Sequence, residues 1–375
     1  MNKNCHICKS KNLHIFKPKI NLKQVTSDCR PWNRELILLE CTNCHTVQKL
    51  INNEWIKDSE EIYSKYQVYA QAEGQEQHTF DSSTGNGVGR SQQIVNWISE
   101  NVDLKKEGKL LDIGCGNGSF LKTFQNDFNS WKLTGLELDY RNEEKINSIP
   151  NTTLLVEDIK KVKEKYDLIV LIHALEHIIN PAEFLNTISK LLNPNGLLFI
   201  EIPNFKLAPF DILIADHCSH FTTETLKNLL TSNNFNCIKI TEDFIPKEIT
   251  LVAKYTNNQL FLDRMECDNS KLINDYFNNI YQIWEQANNL NEPFGIFGTS
   301  ISATWLASEF INKVDFFIDE DIGRVGKIHL GKKIYAINNC PNNMKILMPL
   351  RFDIAKKIKN RLEVESSKNM ILPPM

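Results

Sequence analysis

The chain has 375 residues, 42% of them apolar and 24% charged, with a formal net charge of -3. That is the make-up of a globular protein long enough for two or three cores, and it provides no general field to attract nucleic acid or anionic lipid. No apolar run reaches the roughly 18 residues of a membrane span, and the opening MNKNCHICKS lacks the apolar core of a signal peptide, so the cytoplasm is the expected compartment.

The first predicted unit, residues 1–60, carries Cys5-His-Ile-Cys8 and Cys41-Thr-Asn-Cys44 around the strand-like ELILLE. Each C-x-x-C turn aims two sulfurs at one point, so the doubled spacing predicts a tetrahedral zinc site of Cys5, Cys8, Cys41 and Cys44. With all four positions filled by sulfur there is no open position for substrate, and the expected role is structural. The remaining cysteines are scattered and form no disulfide framework.

Residues 61–107 read as a helical connector, with Tyr63, Tyr66 and Tyr69 clustered before the amphipathic QQIVNWISENV. From Lys109 onward, strand and helix signals alternate, which predicts an α/β fold with a parallel sheet covered on both faces, over residues 108–245. In such a sheet ligands bind beyond the carboxyl ends of the strands.

The first strand runs into LLDIGCGNGSF, in which Gly114, Gly116 and Gly118 alternate instead of keeping the G-x-G-x-x-G spacing of a dinucleotide site. Asp112 inside this turn would repel a pyrophosphate but suits a ligand with an amino group and a sulfonium, as in S-adenosylmethionine. Glu137 ends the next strand, where a carboxylate accepts both ribose hydroxyls. Asp158 ends the third, where it can face the adenine amino group.

HALEH, His173 to His177, matches a zinc-protease pattern but follows directly on the apolar strand YDLIVLI, so His177 is read as a cleft residue facing the methyl donor. Further on, IADHCSHFT places Asp216 beside His217, a carboxylate and an imidazole fit for general-base work, with Asp216 expected to orient His217. After residue 246 a long helical stretch precedes a second strand-turn-helix, GIFGTSISATWLASEF. Gly295, Gly298 and Asp319 mark it as Rossmann-like, without the dinucleotide spacing.

Taken in order, the paired C-x-x-C, the Tyr66 to Tyr69 segment, LLDIGCGNGSF, ALEHI, ADHCSHF and the C-terminal glycine turn resemble the three-domain S-adenosylmethionine-dependent sugar C-methyltransferases, over nearly the whole chain. The resemblance implies a small N-terminal zinc module, a class I methyltransferase core, and a C-terminal Rossmann-like domain with a structural or substrate-nucleotide role. It also implies a nucleotide-linked keto-deoxysugar as acceptor, with His217 as base and His177 in the active site. The family's loop reads Y-x-E-H, whereas this chain has Ile214 and Asp216 at those positions. Either Tyr66 or Tyr69 supplies the missing hydroxyl, or the acceptor is not a 3-keto-sugar. Oxygen or nitrogen methylation of a related sugar or modified acid is then the alternative, and it needs no enolate.

Overall fold

The structure, a computed structural model, describes residues 4–66, 78–80, 87–258, 268–363 and 368–375. Its centre is a seven-stranded sheet. The strand order is Thr152–Val156, Lys132–Glu137, Lys109–Ile113, Tyr166–Ile172, Leu192–Pro203, Glu248–Tyr255, Phe235–Thr241. The first five run parallel, while Glu248–Tyr255 pairs antiparallel with both its neighbours. This is a Rossmann-like sheet, and the expected α/β class holds.

The apolar runs KLLDI and YDLIVLI are buried on both faces, as parallel strands under two helical layers must be. Helix Pro181–Leu191 starts with proline at its first position and buries Leu185, Ile188 and Leu191 at helical spacing. Glu248–Tyr255 lies in this sheet, beyond the boundary expected at residue 245.

A smaller four-stranded sheet is built from Leu13–Phe16, Leu38–Cys41 and Val47–Lys49, and its fourth strand comes from far along the chain. That strand is Ser219–His220, pairing antiparallel with Gln48 and Val47. Helix Asn53–Ser64 follows this sheet and crosses the connector boundary expected at residue 60.

The C-terminal part holds a six-stranded sheet centred on Val314–Ile318, Phe294–Phe297 and Lys345–Leu347, which are mutually parallel. One apolar cluster joins Val25, Leu38 and Val47 of the N-terminal part to Ile212, to Tyr276 and Ile280 of helix Ser270–Asn288, and to Trp305 of the C-terminal part. The N-terminal unit is therefore wedged between the two larger sheets, and the Tyr276 hydroxyl donates to the Phe205 carbonyl across that junction at 2.6 Å. Among the described residues no helix is long and apolar enough to cross a membrane.

Candidate active site

The carboxyl ends of the central sheet and of the C-terminal sheet face one cleft of about 2540 Å³, lined among others by Asp112, Glu137, His177, His217, Asp319 and Arg324. That is room for more than one ligand, since a pocket for a drug-sized molecule is about 300–1,000 Å³.

At one end lies the glycine turn. Gly114, Gly116 and Gly118 all have left-handed φ, of 76°, 57° and 77°. Only glycine takes that conformation without steric cost, and at Gly118 a Cβ would also meet Ile146 Cγ1 at 3.0 Å. The turn brings the Gly116 N–H within 2.5 Å of Glu137 Oε1, while Leu138 N–H donates to the other oxygen at 3.1 Å. Burial pushes the Glu137 carboxyl up, against the pull of those two amides. Asp112 is 2% exposed, and burial, then the neighbouring Glu137, raises it to about 8. Two carboxylates raised by desolvation form a pocket for a cation. Asp158 stands at the rim, exposed, two residues past its strand, where it caps a short helical turn by accepting from Lys160 N–H at 2.9 Å.

At the other end the chain leaves strand Tyr166–Ile172 through His173, which has a left-handed φ of 51°, and makes a single helical turn, Leu175–His177. His177 Nδ1 donates to the Asp216 carbonyl at 3.0 Å. Its ring meets that of His217 edge-on, with centroids 4.6 Å apart, and the ring of Tyr63 at 6.0 Å. Burial raises the Tyr63 phenol well above its ordinary range.

Segment 214–220, which carries His217, is held almost residue by residue by the N-terminal unit. Ala215 N–H donates to the Val25 carbonyl at 2.7 Å, and Trp55 Nε1–H to the Ala215 carbonyl at 2.9 Å. Asp216 accepts from Ser27, and Lys49 N–H donates to the Cys218 carbonyl at 3.0 Å. Beyond the segment, Thr222 caps helix Thr223–Ser232 reciprocally with Thr225.

The expected pairing of Asp216 with His217 does not form. Asp216 lies in a turn, where its carboxylate is taken by Ser27 and, at 3.5 Å, by His177 Nδ1, whereas His217 Nδ1 meets Asp211 at 2.8 Å. Tyr66 lines the cleft beside Tyr63, with ring centroids 5.9 Å apart, and Tyr69 lies outside the described residues. Sequence reasoning missed Asp211 and Ser27 altogether, and it placed Tyr63 in the connector without a role at the site. An Asp six residues before the histidine was the one visible signal.

Behind His173 sits a buried ionic cluster. Glu176 and Glu248 bond its two ring nitrogens at 3.1 and 3.0 Å, and Arg90 pairs with Glu201 at 3.2 Å and with Glu248. This network fixes His173, and through it the turn that carries His177.

The four cysteines of the N-terminal unit converge, with every sulfur within 4.8 Å of the others. Ile7 N–H and Asn43 N–H each donate to the first sulfur of their turn at 3.4 Å, and Lys9 and His45 take left-handed φ where the knuckles close. This donor set fits a tetrahedral zinc ion, whose bonds to sulfur are about 2.3 Å.

In the C-terminal part, Gly298 has a left-handed φ of 88° at the turn, and Asp319 accepts from Thr299 Oγ1 at 2.6 Å. Arg324 donates to the same hydroxyl at 3.0 Å.

Comparison with known proteins bears on the central sheet. Residues 89–240 match the family model described as a methyltransferase domain, so helix Arg90–Asn101 falls within it. The chain is 24% identical over 207 residues to pavine N-methyltransferase of Thalictrum flavum subsp. glaucum, covering 52% of this chain and 58% of that one. It is 26% identical over 137 residues to the ubiquinone biosynthesis O-methyltransferase of Pasteurella multocida, covering 32% and 56%. With C-methyltransferase NovU of Streptomyces niveus it shares 23% over 171 residues, covering 42% and 40%. The chain thus spans little more than half the length of the first two relatives. Among solved structures, an S-adenosylmethionine-dependent methyltransferase from Clostridium acetobutylicum superposes with a TM-score of 0.37 at 16% identity, over 44% of this chain and 91% of that one.

Proposed function

We propose that this chain, whose residues 89–240 form a class I S-adenosylmethionine-dependent methyltransferase domain, transfers a methyl group to a carbon beside the ketone of a nucleotide-linked sugar. The observation that carries the reading is the placement of His217 and His177, ring edge to ring face, in the same cleft as the carboxylate-lined glycine turn.

In this reading Glu137 holds the ribose hydroxyls, Asp112 the cationic end of the donor, and Asp158 the adenine edge. When bound, S-adenosylmethionine supplies an electrophilic methyl. The chain's own tasks are then to align the acceptor carbon and to remove a proton from it. His217 takes that proton. Burial alone would push its imidazole down, but the charge and hydrogen bond of Asp211 outweigh burial and raise it to about 9, which makes it a strong base once deprotonated. His177 and Tyr63, with Tyr66 beside it, border the space where the enolate oxygen would lie, and the Tyr63 hydroxyl takes the part of the tyrosine that Ile214 replaces. Its phenol stays protonated and so remains a donor. The nucleotide end of the acceptor rests against Ser300, Asp319 and Arg324 on the facing sheet edge. Cys5, Cys8, Cys41 and Cys44 hold a structural zinc ion, which ties the two knuckles of the N-terminal unit together.

The presence of N- and O-methyltransferases among the relatives, together with Ile214, favours one second reading: transfer to oxygen or nitrogen, with His217 collecting the released proton. Labelled methyl donor and a panel of nucleotide sugars, with and without a 4,6-dehydratase to generate ketones, separate the two. Carbon transfer predicts deuterium washout at the acceptor carbon that disappears in His217→Ala. Methyl transfer without washout rejects carbon in favour of the second reading. No transfer to any sugar, with S-adenosylhomocysteine still bound, rejects the sugar acceptor.

A further inference from the structure

We propose that Asp211 is the positioning residue for His217: its carboxylate holds the Nδ1–H of that imidazole so that Nε2 faces the cleft, and His220 pins the carboxylate from its other oxygen. The proposal rests on the reading of His217 as the base and adds what sets its tautomer and basicity.

The geometry is closed on every side. Asp211 stands on the helical turn Asp211–Leu213 and is 6% exposed. Its Oδ1 lies 2.8 Å from His217 Nδ1, and its Oδ2 lies 2.5 Å from His220 Nδ1. An ionised carboxylate can only accept, so both Nδ1 atoms must carry hydrogen. Neutral His217 then has its lone pair on Nε2, the nitrogen turned away from Asp211.

Charge divides the two imidazoles. Burial would push Asp211 up, but His217 and then His220 outweigh it and hold the carboxyl well below its usual range. One carboxylate supports one imidazolium. His217 is the ring that keeps the extra proton, because the negative charges of Glu176 and Asp216 lie near it as well, without a hydrogen bond from Asp216. His220 is pushed down, by burial first, and Lys49 and His217 oppose its charging. Among the described residues its Nε2 has no hydrogen-bond partner and is enclosed, with the Phe205 ring 5.7 Å away, so a second proton there would be uncompensated. The remaining groups around His217 are His177 and the neutral phenol of Tyr63 on one side and His173 beyond Glu176. Lys49, buried and lowered to about 7, lies on the Asp211 and Asp216 side.

A merely space-filling Asp211 would satisfy two histidines without deciding which nitrogen of His217 reacts. The distinction is measurable in the full chain labelled with 13C,15N-histidine, saturated with S-adenosylhomocysteine, and followed by nuclear magnetic resonance across pH. The expected wild-type result is that the signal lost in His217→Gln titrates alkaline of neutral, and that its neutral form carries the proton on Nδ1. In Asp211→Asn that midpoint falls by about one unit or more, a tenfold weaker hold on the proton, and the neutral ring no longer keeps a single tautomer. With an acceptor, the acid limb of the kcat/KM profile moves by the same amount. A wild-type His217 protonated on Nε2, or a midpoint unmoved by Asp211→Asn, overturns the proposal. The wild-type tautomer decides the matter even if the variant does not fold. Failure of the wild-type chain to bind S-adenosylhomocysteine would sink the methyl-transfer reading and leave the tautomer result standing.

Discussion

The hydroxyl of Ser27 and the carboxylate of Asp216 meet at 2.5 Å, joining residues 189 positions apart, and the Ser27 N–H donates to the other carboxylate oxygen at 2.9 Å. Asp216 is 1% exposed, so these bonds, with His177 nearby, are what make its burial tolerable. The segment that carries the proposed base is thus anchored by an element with no part in the central sheet.

Ser27→Ala removes one of those bonds and leaves a buried oxygen short of a donor, a loss of about 1–3 kcal/mol. Hydrogen exchange should quicken over residues 214–220, and methyl transfer should fall. S-adenosylhomocysteine binding by calorimetry should stay within about twofold, because that half of the cleft is untouched.

Removing the metal should act along the same route. Cys44→Ser, or exhaustive chelation, is expected to abolish the proposed binding of zinc by the four cysteines, read by atomic absorption, and to expose the amides of Ser219 and His220 to exchange. Their partners Gln48 and Val47 lie only a few residues after the second knuckle. Donor binding should survive.

Asp112 predicts a pH dependence of donor affinity. With its carboxyl raised to about 8, it is protonated in the empty site at neutral pH, and a cationic ligand must expel that proton. Affinity for S-adenosylmethionine should therefore rise with pH up to about 8 and become flat in Asp112→Asn. The sign for stability is the opposite. A group whose pKa is higher in the folded chain than in the unfolded one stabilises most at low pH, so the ligand-free protein should lose stability from about pH 4 to 8. Denaturant melts of Asp112→Asn should lack that component.

Glu137→Ala should weaken S-adenosylhomocysteine about tenfold to a hundredfold, the range for a hydrogen bond to a charged group. The same change frees the Gly116 amide, which Glu137 now accepts. Glu137→Gln should retain more affinity than Glu137→Ala, since the amide oxygen can still accept from Gly116.

The donor end of the cleft was legible in the sequence because local rules build it. Strand period, glycine turn and acidic strand end are each written in a few consecutive residues, and Asp112 and Glu137 line the cleft. The acceptor end was legible only in part. His177 and His217 both line the cleft, but the partner expected for His217 was its neighbour in sequence, whereas the carboxylate that meets its Nδ1 is that of Asp211, from the preceding helical turn. Tyr63 and Ser27 reach the site only through contacts distant in sequence, of Tyr63 with His177 and of Ser27 with Asp216. No periodicity encodes such contacts. The pairing of Ser219–His220 was hidden for a simpler reason: a two-residue strand leaves no pattern to read.

That short strand also bears on how such an enzyme can diversify. A leading module that furnishes Ser27, Tyr63 and the sheet receiving Ser219–His220 shapes the wall around His177 and His217, and its carbonyls at Tyr63 and Tyr66 also hold Arg141 just past strand Lys132–Glu137. Grafting in a related leader would recast that wall in one genetic event, while the glycine turn and its two carboxylates, which belong to the central sheet, are inherited intact.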